Sequence, residues 1–260
     1  MKIWILTMED PIYTADFIKD IIKQRHKDIA GLTIAKGGRL KIGKKRSKLV
    51  YLFSLLLIMG PSHFIKNVLT TLSFKIRKKL SSFLPFVSSP GLHAFAEQYG
   101  IPVDFTENPN AEEYLNKLKK AAPDIIINQS QFIVKKPLFE LPKIGMLNRH
   151  NALLPKNRGR LTPFWVLFKK EKETGVSIHF VDEGIDSGPI VVQKRFEVTK
   201  RDSFNSVVKK NYSIAANAML EALDLLEKGH RDFIENNDEE ATYNTVPTFK
   251  EAFKFRFDLR

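Results

Sequence analysis

Apolar positions in the first 35 residues fall into three segments with different spacing. Residues 2–7 and 30–35 are short apolar runs, as expected for buried strands, whereas residues 11–23 repeat apolar side chains at helical spacing. This strand–helix–strand order predicts the start of a doubly wound sheet. The turn after the first strand, Met8 to Pro11, lacks a Gly-x-Gly-x-x-Gly pattern, so it does not indicate a dinucleotide site.

Helical and strand-like segments continue to alternate along the chain. Residues 123–128 form an apolar run typical of a buried strand, and residues 204–228 have the spacing of a long helix. We therefore predict an α/β fold with a Rossmann-like, doubly wound, mostly parallel sheet, flanking helices and a short C-terminal appendage. The predicted division is a catalytic domain at residues 1–200 and a C-terminal helix and tail at residues 201–260.

Residues 37–80 interrupt this pattern with a basic, apolar insertion. A glycine-containing basic loop precedes an apolar run at residues 49–59, which is well short of the roughly 20 residues that span a bilayer. Residues 62–80 place apolar side chains at helical spacing with basic residues between them, which predicts an amphipathic helix. Three interpretations stay open: a helical insertion packed on the body, a patch for phosphate or another anionic substrate, and a helix on a membrane surface.

The positive charge of the chain is concentrated in and around this insertion. The net charge is +13, and the stretch between residues 31 and 96 contains twelve Lys and Arg but no Asp or Glu. The remaining sequence therefore carries about +1 (13 − 12). The chain has no cysteine, which excludes disulfides and thiolate chemistry. The N-terminal apolar run is too short for a signal peptide, so we expect a cytoplasmic protein.

Polar groups suited to catalysis follow two predicted strands in the second half of the chain. Asn148 and His150 come directly after an apolar run and are two positions apart, so on a strand their side chains share one face. The next predicted strand ends in the sequence DEGIDSGP, which carries Asp182, Glu183 and Asp186. An amide, an imidazole and a carboxylate at neighbouring strand ends would form an acid–base site with an oxyanion donor.

The order of these elements is specific. Residues 122–198 resemble the 10-formyltetrahydrofolate-dependent formyltransferase family, which includes sugar N-formyltransferases and the catalytic domain of methionyl-tRNA formyltransferase. The residues that match the family pattern are Asn148, His150, Leu153, Leu154, Pro155, Arg158, Gly159, Trp165, Thr174, Gly175, Val176, Asp182, Gly184, Asp186, Gly188 and Pro189. The chain departs from the pattern at Ala152, where the family usually has Ser, and at Pro163, which many members place one residue earlier.

The resemblance implies a site for a formyl-folate. The catalytic residues of the family correspond to Asn148, His150 and Asp186. Residues on two loops are implied to bind the folate: Asn128, Gln129, Phe132, Asp182, Glu183 and Gly184. The co-substrate is then 10-formyltetrahydrofolate, and no metal is expected. His179, within a predicted strand, is expected to be structural.

The resemblance leaves the acceptor amine open among methionyl-tRNA, glycinamide ribonucleotide, amino sugars on nucleotides and amino acids on peptide synthetases. A tRNA enzyme should carry a further β-barrel domain, for which the sequence after residue 198 is too short. A glycinamide ribonucleotide enzyme should have a glycine-rich turn after the first strand, which is missing. Residues 163–165 and 243–247 look most like the sugar enzymes, so we expect N-formylation of a nucleotide-linked amino sugar.

Two other classes of function compete with this expectation. A formyltetrahydrofolate hydrolase would use the same three catalytic residues, and a non-enzymatic module would use the basic segment to bind RNA or a membrane. Nucleic acid is disfavoured as a partner. A homodimer and a peripheral membrane or anionic contact through residues 37–80 stay open.

Overall fold

The structure is a computed structural model that describes residues 1–37, 47–84 and 86–258. Within these ranges the chain forms a seven-stranded sheet and a separate two-stranded ladder. The strands of the sheet are β1 (Ile3–Met8), β2 (Ile29–Ala35), β3 (Val103–Thr106), β4 (Ile125–Gln129), β5 (Gly145–His150), β7 (Glu173–Phe180) and β8 (Ile190–Glu197). The ladder pairs β6 (Arg158–Gly159) with β9 (Tyr243–Asn244).

Helices cover both faces of the sheet. Those in the described ranges are α1 (Thr14–Arg25), α2 (Lys48–Met59), α3 (Pro61–Ser81), α4 (Leu92–Glu97), α5 (Glu112–Ala121), α6 (Lys136–Phe139), α7 (Thr162–Phe168), α8 (Phe204–Glu227) and α9 (Phe249–Phe257). Most of the basic loop predicted before α2, residues 38–46, lies outside the described residues.

The strand order across the sheet is β3-β2-β1-β4-β5-β7-β8. The strands from β3 to β5 run parallel, and β7 and β8 continue the sheet in antiparallel pairs. This topology confirms the predicted Rossmann-like, mostly parallel α/β fold. The order reverses direction between β1 and β4, and in open α/β sheets such a reversal opens a crevice suited to ligands.

Alternating side chains of β1 show how the strands fill two cores. Ile3 and Ile5 belong to the core beneath α1, while Trp4 and Leu6 belong to the core on the opposite side, beneath α5. Burial of each such side chain contributes about 1.5–3 kcal/mol. Both faces of the central strands are therefore covered, as a continuous apolar sequence requires.

The long helix α8 packs into the same core as α1 and the sheet. Its buried residues Ala215, Met219 and Leu223 join Ile18 of α1 in one cluster. A capping box at Ser203 and Ser206 begins the helix. The predicted division at residue 200 stays a prediction, but α8 is packed as part of the main body.

The insertion forms the two helices α2 and α3. Helix α2 is anchored by the buried Ser54 and Ile58, and Ile58 packs with Phe164 and Phe255. Helix α3 has no buried residue. Among the described residues, no helix is both long and apolar enough to cross a membrane.

Candidate active site

Strand β5 presents Asn148 and His150 on one face. The two residues are two positions apart on the strand, so their side chains point the same way. Asn148 pairs with Asn128 near the end of β4 and with His179 near the end of β7. The predicted amide and imidazole groups therefore lie beside the loops that follow β4 and β7.

Asp186 reaches these residues from the loop between β7 and β8. Its carboxylate lies 3.3 Å from Nδ1 of His150 and 3.5 Å from Nδ2 of Asn148. Because β7 runs antiparallel to β5, this loop must turn back along β5 to place Asp186 here. Asp186 has a left-handed backbone (φ 51°), and Nδ2 of Asn236 donates to its carbonyl oxygen at 2.9 Å. The structure thus brings the three sequence-predicted catalytic residues together.

Both ring nitrogens of His150 have partners. Nε2 lies 2.8 Å from the carbonyl oxygen of Asn157, while Nδ1 faces the Asp186 carboxylate. A carbonyl oxygen only accepts hydrogen bonds, so Nε2 carries a proton. His150 is 5% exposed, so its contact with Asp186 is shielded from water.

The electrostatic surroundings lower the pKa of both Asp186 and His179, so both groups are deprotonated at neutral pH. Burial raises the pKa of the Asp186 carboxyl, but the imidazoles of His150 and His179 and the N–H of Gly159 outweigh it and hold the pKa below its usual value. For His179, burial dominates and lowers the pKa to about 4. At neutral pH Asp186 is therefore ionised and His179 is neutral.

A series of hydrogen bonds determines which end of the Asn148 amide faces Asp186. Nε of Arg149 donates to Oε1 of Gln129 at 3.0 Å, and because a guanidinium only donates, Gln129 must present its Nε2 elsewhere. That Nε2 donates to Oδ1 of Asn148 at 3.1 Å. Nδ2 of Asn148 therefore points to Asp186 and to Nε2 of the neutral His179, 3.3 Å away. Asn148 thus offers N–H donors on this side, as stabilisation of an oxyanion requires.

The β6–β9 ladder forms the wall beside Asp186. The N–H of Gly159 donates to Oδ2 of Asp186 at 2.9 Å. A Cβ atom at Gly159 (φ 98°) would lie 2.1 Å from the carbonyl oxygen of Asn244, so only glycine fits here. Arg158, with 0% exposure, holds the ladder by donating to Asp238 at 2.5 Å and to the hydroxyl of Tyr243 at 2.7 Å.

A cavity of about 770 Å³ opens next to these groups. It is lined by the loop after β4, the loop after β7, the ladder and the ends of β5 and β7: Asn128, Ser130, Gln131, Phe132, Ile133, Val134, Asn148, Gly159, Arg160, His179, Val181, Asp182, Glu183, Gly184, Ile185, Asp186, Asn244, Thr245 and Val246. Among the described residues, no group of three or more His, Cys, Asp or Glu side chains is arranged to hold a metal ion.

Most of the sequence-predicted site residues line this cavity. Those that do so are Asn148, Asp186, Asn128, Phe132, Asp182, Glu183 and Gly184. Gln129 is not part of the lining, because its side chain is bound to Arg149 and Asn148, and His150 does not line the cavity either. The roles of all these residues in catalysis and folate binding stay predictions.

Sequence reasoning missed several groups that the fold adds to the site. His179, expected to be structural, lines the cavity and contacts Asn148 and Asp186. Its position opposite Asn148 follows from the antiparallel register of β7, which no local sequence signal gives. No spacing rule connects Gly159, Arg160 or residues 244–246 with Asp186, since the tail reaches the site only through tertiary contacts.

Comparisons with known proteins concern the family and the fold of the chain. A family model described as formyl transferase matches residues 87–223, more than half of the chain. The methionyl-tRNA formyltransferase of Kosmotoga olearia is 37% identical over 164 residues, which cover 63% of this chain and 53% of that protein. The chain therefore spans about half the length of the curated relatives it matches.

Solved structures show the same fold at low sequence identity. Glycinamide ribonucleotide transformylase 1 from Symbiobacterium toebii has a TM-score of 0.59 at 15% identity, over 88% of each chain. The N-formyltransferase from Helicobacter canadensis, solved with folinic acid and dTDP-3-aminofucose, has a TM-score of 0.57 at 17% identity, over 94% of this chain and 71% of that one. Because the family model matches more than half of this chain, the chain belongs to the formyl transferase family.

Proposed function

We propose that the chain transfers a formyl group from 10-formyltetrahydrofolate to an amine. One observation carries the proposal: N–H donors of Asn148 and the ionised carboxylate of Asp186 meet in the wall of one cavity, with the His150 ring 3.3 Å from that carboxylate. Formyl transfer needs such a pair, because an oxyanion forms and a proton must move in the same reaction.

The chemical steps assign a task to each group. The acceptor nitrogen attacks the formyl carbon, and the carbonyl oxygen becomes an oxyanion that the Asn148 N–H can stabilise. The bond from that carbon to N10 of the folate then breaks. The acceptor amine loses a proton and N10 gains one, and Asp186, directly or through water, is placed to pass it on. His150 holds Asp186 in its ionised form and orients it.

The size and the lining of the cavity support a folate as its ligand. Its volume of about 770 Å³ lies within the roughly 300–1,000 Å³ typical of small-molecule sites. The loop after β4 contributes apolar side chains, Phe132 and Val134, and Val181 and Ile185 add more from the loop after β7. Polar groups such as Asn128 interrupt this apolar wall, as expected where a heterocycle with hydrogen-bonding edges binds.

For the acceptor we propose an amino sugar carried on a nucleotide. Arg160 lines the cavity directly after Gly159, which bonds to Asp186, so a cation lies one residue from the reacting groups. A guanidinium binds phosphate oxygens through paired N–H donors, which suits the diphosphate of a nucleotide sugar. The described part of the basic segment does not line the cavity, so we assign this task to Arg160 rather than to the described residues of that segment.

Methionyl-tRNA is the second candidate acceptor. The observation in its favour is the 37% identity to the Kosmotoga olearia methionyl-tRNA formyltransferase. The two candidates differ in how much they depend on Arg160. A tRNA engages many phosphates, so it would depend less on this one side chain, and its affinity would depend steeply on salt.

The decisive experiment is a turnover assay with 10-formyltetrahydrofolate and separate acceptors: a panel of nucleotide-linked amino sugars, methionyl-tRNA, glycinamide ribonucleotide and no amine. We expect formylated product with one amino sugar and little formate without amine. Product with methionyl-tRNA alone would transfer the proposal to the second candidate. Formate release at the same rate with and without every amine would instead identify a hydrolase.

Two substitutions test the assigned residues. His150→Ala and Asp186→Asn should each lower kcat by about 10²- to 10⁴-fold, the range for loss of positioned acid–base chemistry, while folate binding persists. Asp232→Asn, at an exposed carboxylate outside the cavity, is the matched control and should retain full activity. Near-wild-type turnover in either site variant contradicts the assignment.

A further inference from the structure

Helix α3 has the spacing of a core helix, but the other residues that the structure describes do not cover it. Helix α1 has comparable amphipathic spacing and buries five residues, including Phe17, Ile18 and Ile21. No residue of α3 is buried, although the helix has 21 residues and is about 31 Å long. Packing against the other described residues therefore does not explain its apolar side chains.

The apolar side chains of α3 form one stripe that faces away from the protein. They recur every three or four positions, which places them on a single side of the helix, and each is 42–58% exposed: Ile65, Val68, Leu69, Leu72, Ile76 and Leu80. The other side of α3 meets the body. There Nδ2 of Asn67 donates to Sδ of Met59 at 3.6 Å, and Lys78 forms an ion pair with Glu9.

Exposed apolar side chains extend beyond the stripe. Leu49, Leu52 and Phe53 of α2 are 46–66% exposed, and Phe83 and Phe86, just after α3, are 73% and 81% exposed. Single exposed apolar residues are ordinary on a protein surface, but a contiguous set marks an interaction site.

Basic residues border the stripe on both sides. By helical periodicity Lys75 and Lys79 lie along one edge, and Lys66 and Arg77 lie along the other. No Asp or Glu occurs between residues 31 and 96, so the sequence supplies no acidic partner within this region. An apolar stripe between two rows of cations complements a surface that is apolar inside and negatively charged at its rim.

We propose that α3 docks the protein on an anionic lipid bilayer, lying in the plane of the headgroups with its apolar stripe inserted. Helices with an apolar face flanked by Lys and Arg bind this interface through both interactions together. A second copy of the chain fits less well, because a two-fold contact through α3 would bring its basic rows close to each other. The surface lies outside the catalytic cavity and goes beyond the proposed function.

The test is flotation of the full chain with phosphatidylcholine vesicles, with and without phosphatidylserine. We expect binding that needs the anionic lipid and weakens with salt. Leu72→Gln with Ile76→Gln should reduce the partition coefficient about tenfold or more. Ile234→Gln is a matched control, since Ile234 and Ile76 are both 49% exposed, and it should bind as the wild type does.

The charge contribution is measured separately. Lys75→Gln with Lys79→Gln should lower binding roughly fivefold per cation, while Lys119→Gln with Lys120→Gln, exposed on α5, should lower it far less. Because the chain has no native cysteine, Leu72→Cys carrying an environment-sensitive dye gives a further measurement. Its emission should shift to shorter wavelength on vesicles, and that of Lys119→Cys should not.

The outcomes separate this surface from the active site. Formyl transfer in solution should be unchanged in all α3 variants, so a failure of the proposed reaction would leave the membrane test intact. Absence of vesicle binding by the wild type overturns the proposal. A concentration-dependent dimer that is abolished in the Leu72→Gln, Ile76→Gln double variant also overturns the proposal, since that result assigns the stripe to a second copy of the chain.

Discussion

Gln129→Glu should inactivate the site by reversing the Asn148 amide. In the native protein Gln129 accepts from Arg149 at 3.0 Å, and its Nε2 donates to Oδ1 of Asn148 at 3.1 Å and to the carbonyl oxygen of Asn128 at 2.7 Å. A carboxylate of the same size keeps the first contact, and the adjacent guanidinium favours its ionised form. It has no proton for the other two contacts, so acceptors would face each other at both, and Oδ1 of Asn148 would lie about the same 3.1 Å from a carboxylate oxygen.

The amide of Asn148 can relieve this repulsion only by turning over. Its Nδ2 would then donate to the new carboxylate, and its Oδ1 would face Asp186 and Nε2 of His179, which are both acceptors. The N–H donors would leave the position where the oxyanion forms. Loss of one such donor costs about 2.7–4 kcal/mol, or 10²- to 10³-fold in kcat.

Steady-state kinetics on the purified variant test this reasoning. We expect kcat to fall by about 10²- to 10³-fold, with KM for the folate nearly unchanged, because Gln129 does not line the cavity. Gln129→Met, which removes all three side-chain hydrogen bonds without forcing the amide to turn, should lose less. Gln98→Glu, at an exposed position, is the control for the added charge. A kcat close to that of the wild type in a folded Gln129→Glu protein would refute the proposed orientation of Asn148.

Two further predictions concern stability. Gly159→Ala places a Cβ atom 2.1 Å from the carbonyl oxygen of Asn244, so it should lower the melting temperature clearly more than Gly229→Ala, where φ is similarly positive but the space is open. It should also reduce kcat, because the N–H bonded to Asp186 is displaced, and equal thermal shifts in the two variants would contradict the clash. The pKa of His179 is about 4 in the folded protein and near 6.5 in the unfolded chain. The free energy of unfolding should therefore fall by on the order of 3 kcal/mol as the pH drops from 6.5 to 4, and level off below that. In urea titrations, His179→Gln should remove most of this pH dependence.

The fold and the central polar residues were accessible from the sequence because they depend on local pattern. The continuous apolar run of β1 and the helical spacing of α1 follow from burial, which is a property of consecutive residues. Asn148 and His150 share a face because a strand repeats every two residues. The structure confirms the predicted α/β class and brings Asp186 to these two residues.

Contacts between distant segments were not accessible in the same way. The pairing of β6 with β9 joins residues about 85 positions apart, and nothing in the local sequence of Gly159 indicates its contact with Asn244. The antiparallel direction of β7 is likewise a property of the whole sheet, and it decides that His179 lies opposite Asn148. The exposure of α3 is the converse case, because helical spacing predicts an apolar face without saying what covers it.

The residue that orients the site lies between the two predicted catalytic positions of β5. Arg149 alternates with Asn148 and His150, so its side chain leaves the opposite face of the strand. There it donates to the hydroxyl of Tyr212 in α8 at 3.0 Å while it fixes Gln129 at the end of β4. The orientation of the Asn148 amide therefore depends on packing beneath the sheet. For this reason we expect α8, despite its position after residue 200, to be inseparable from the catalytic part of the chain.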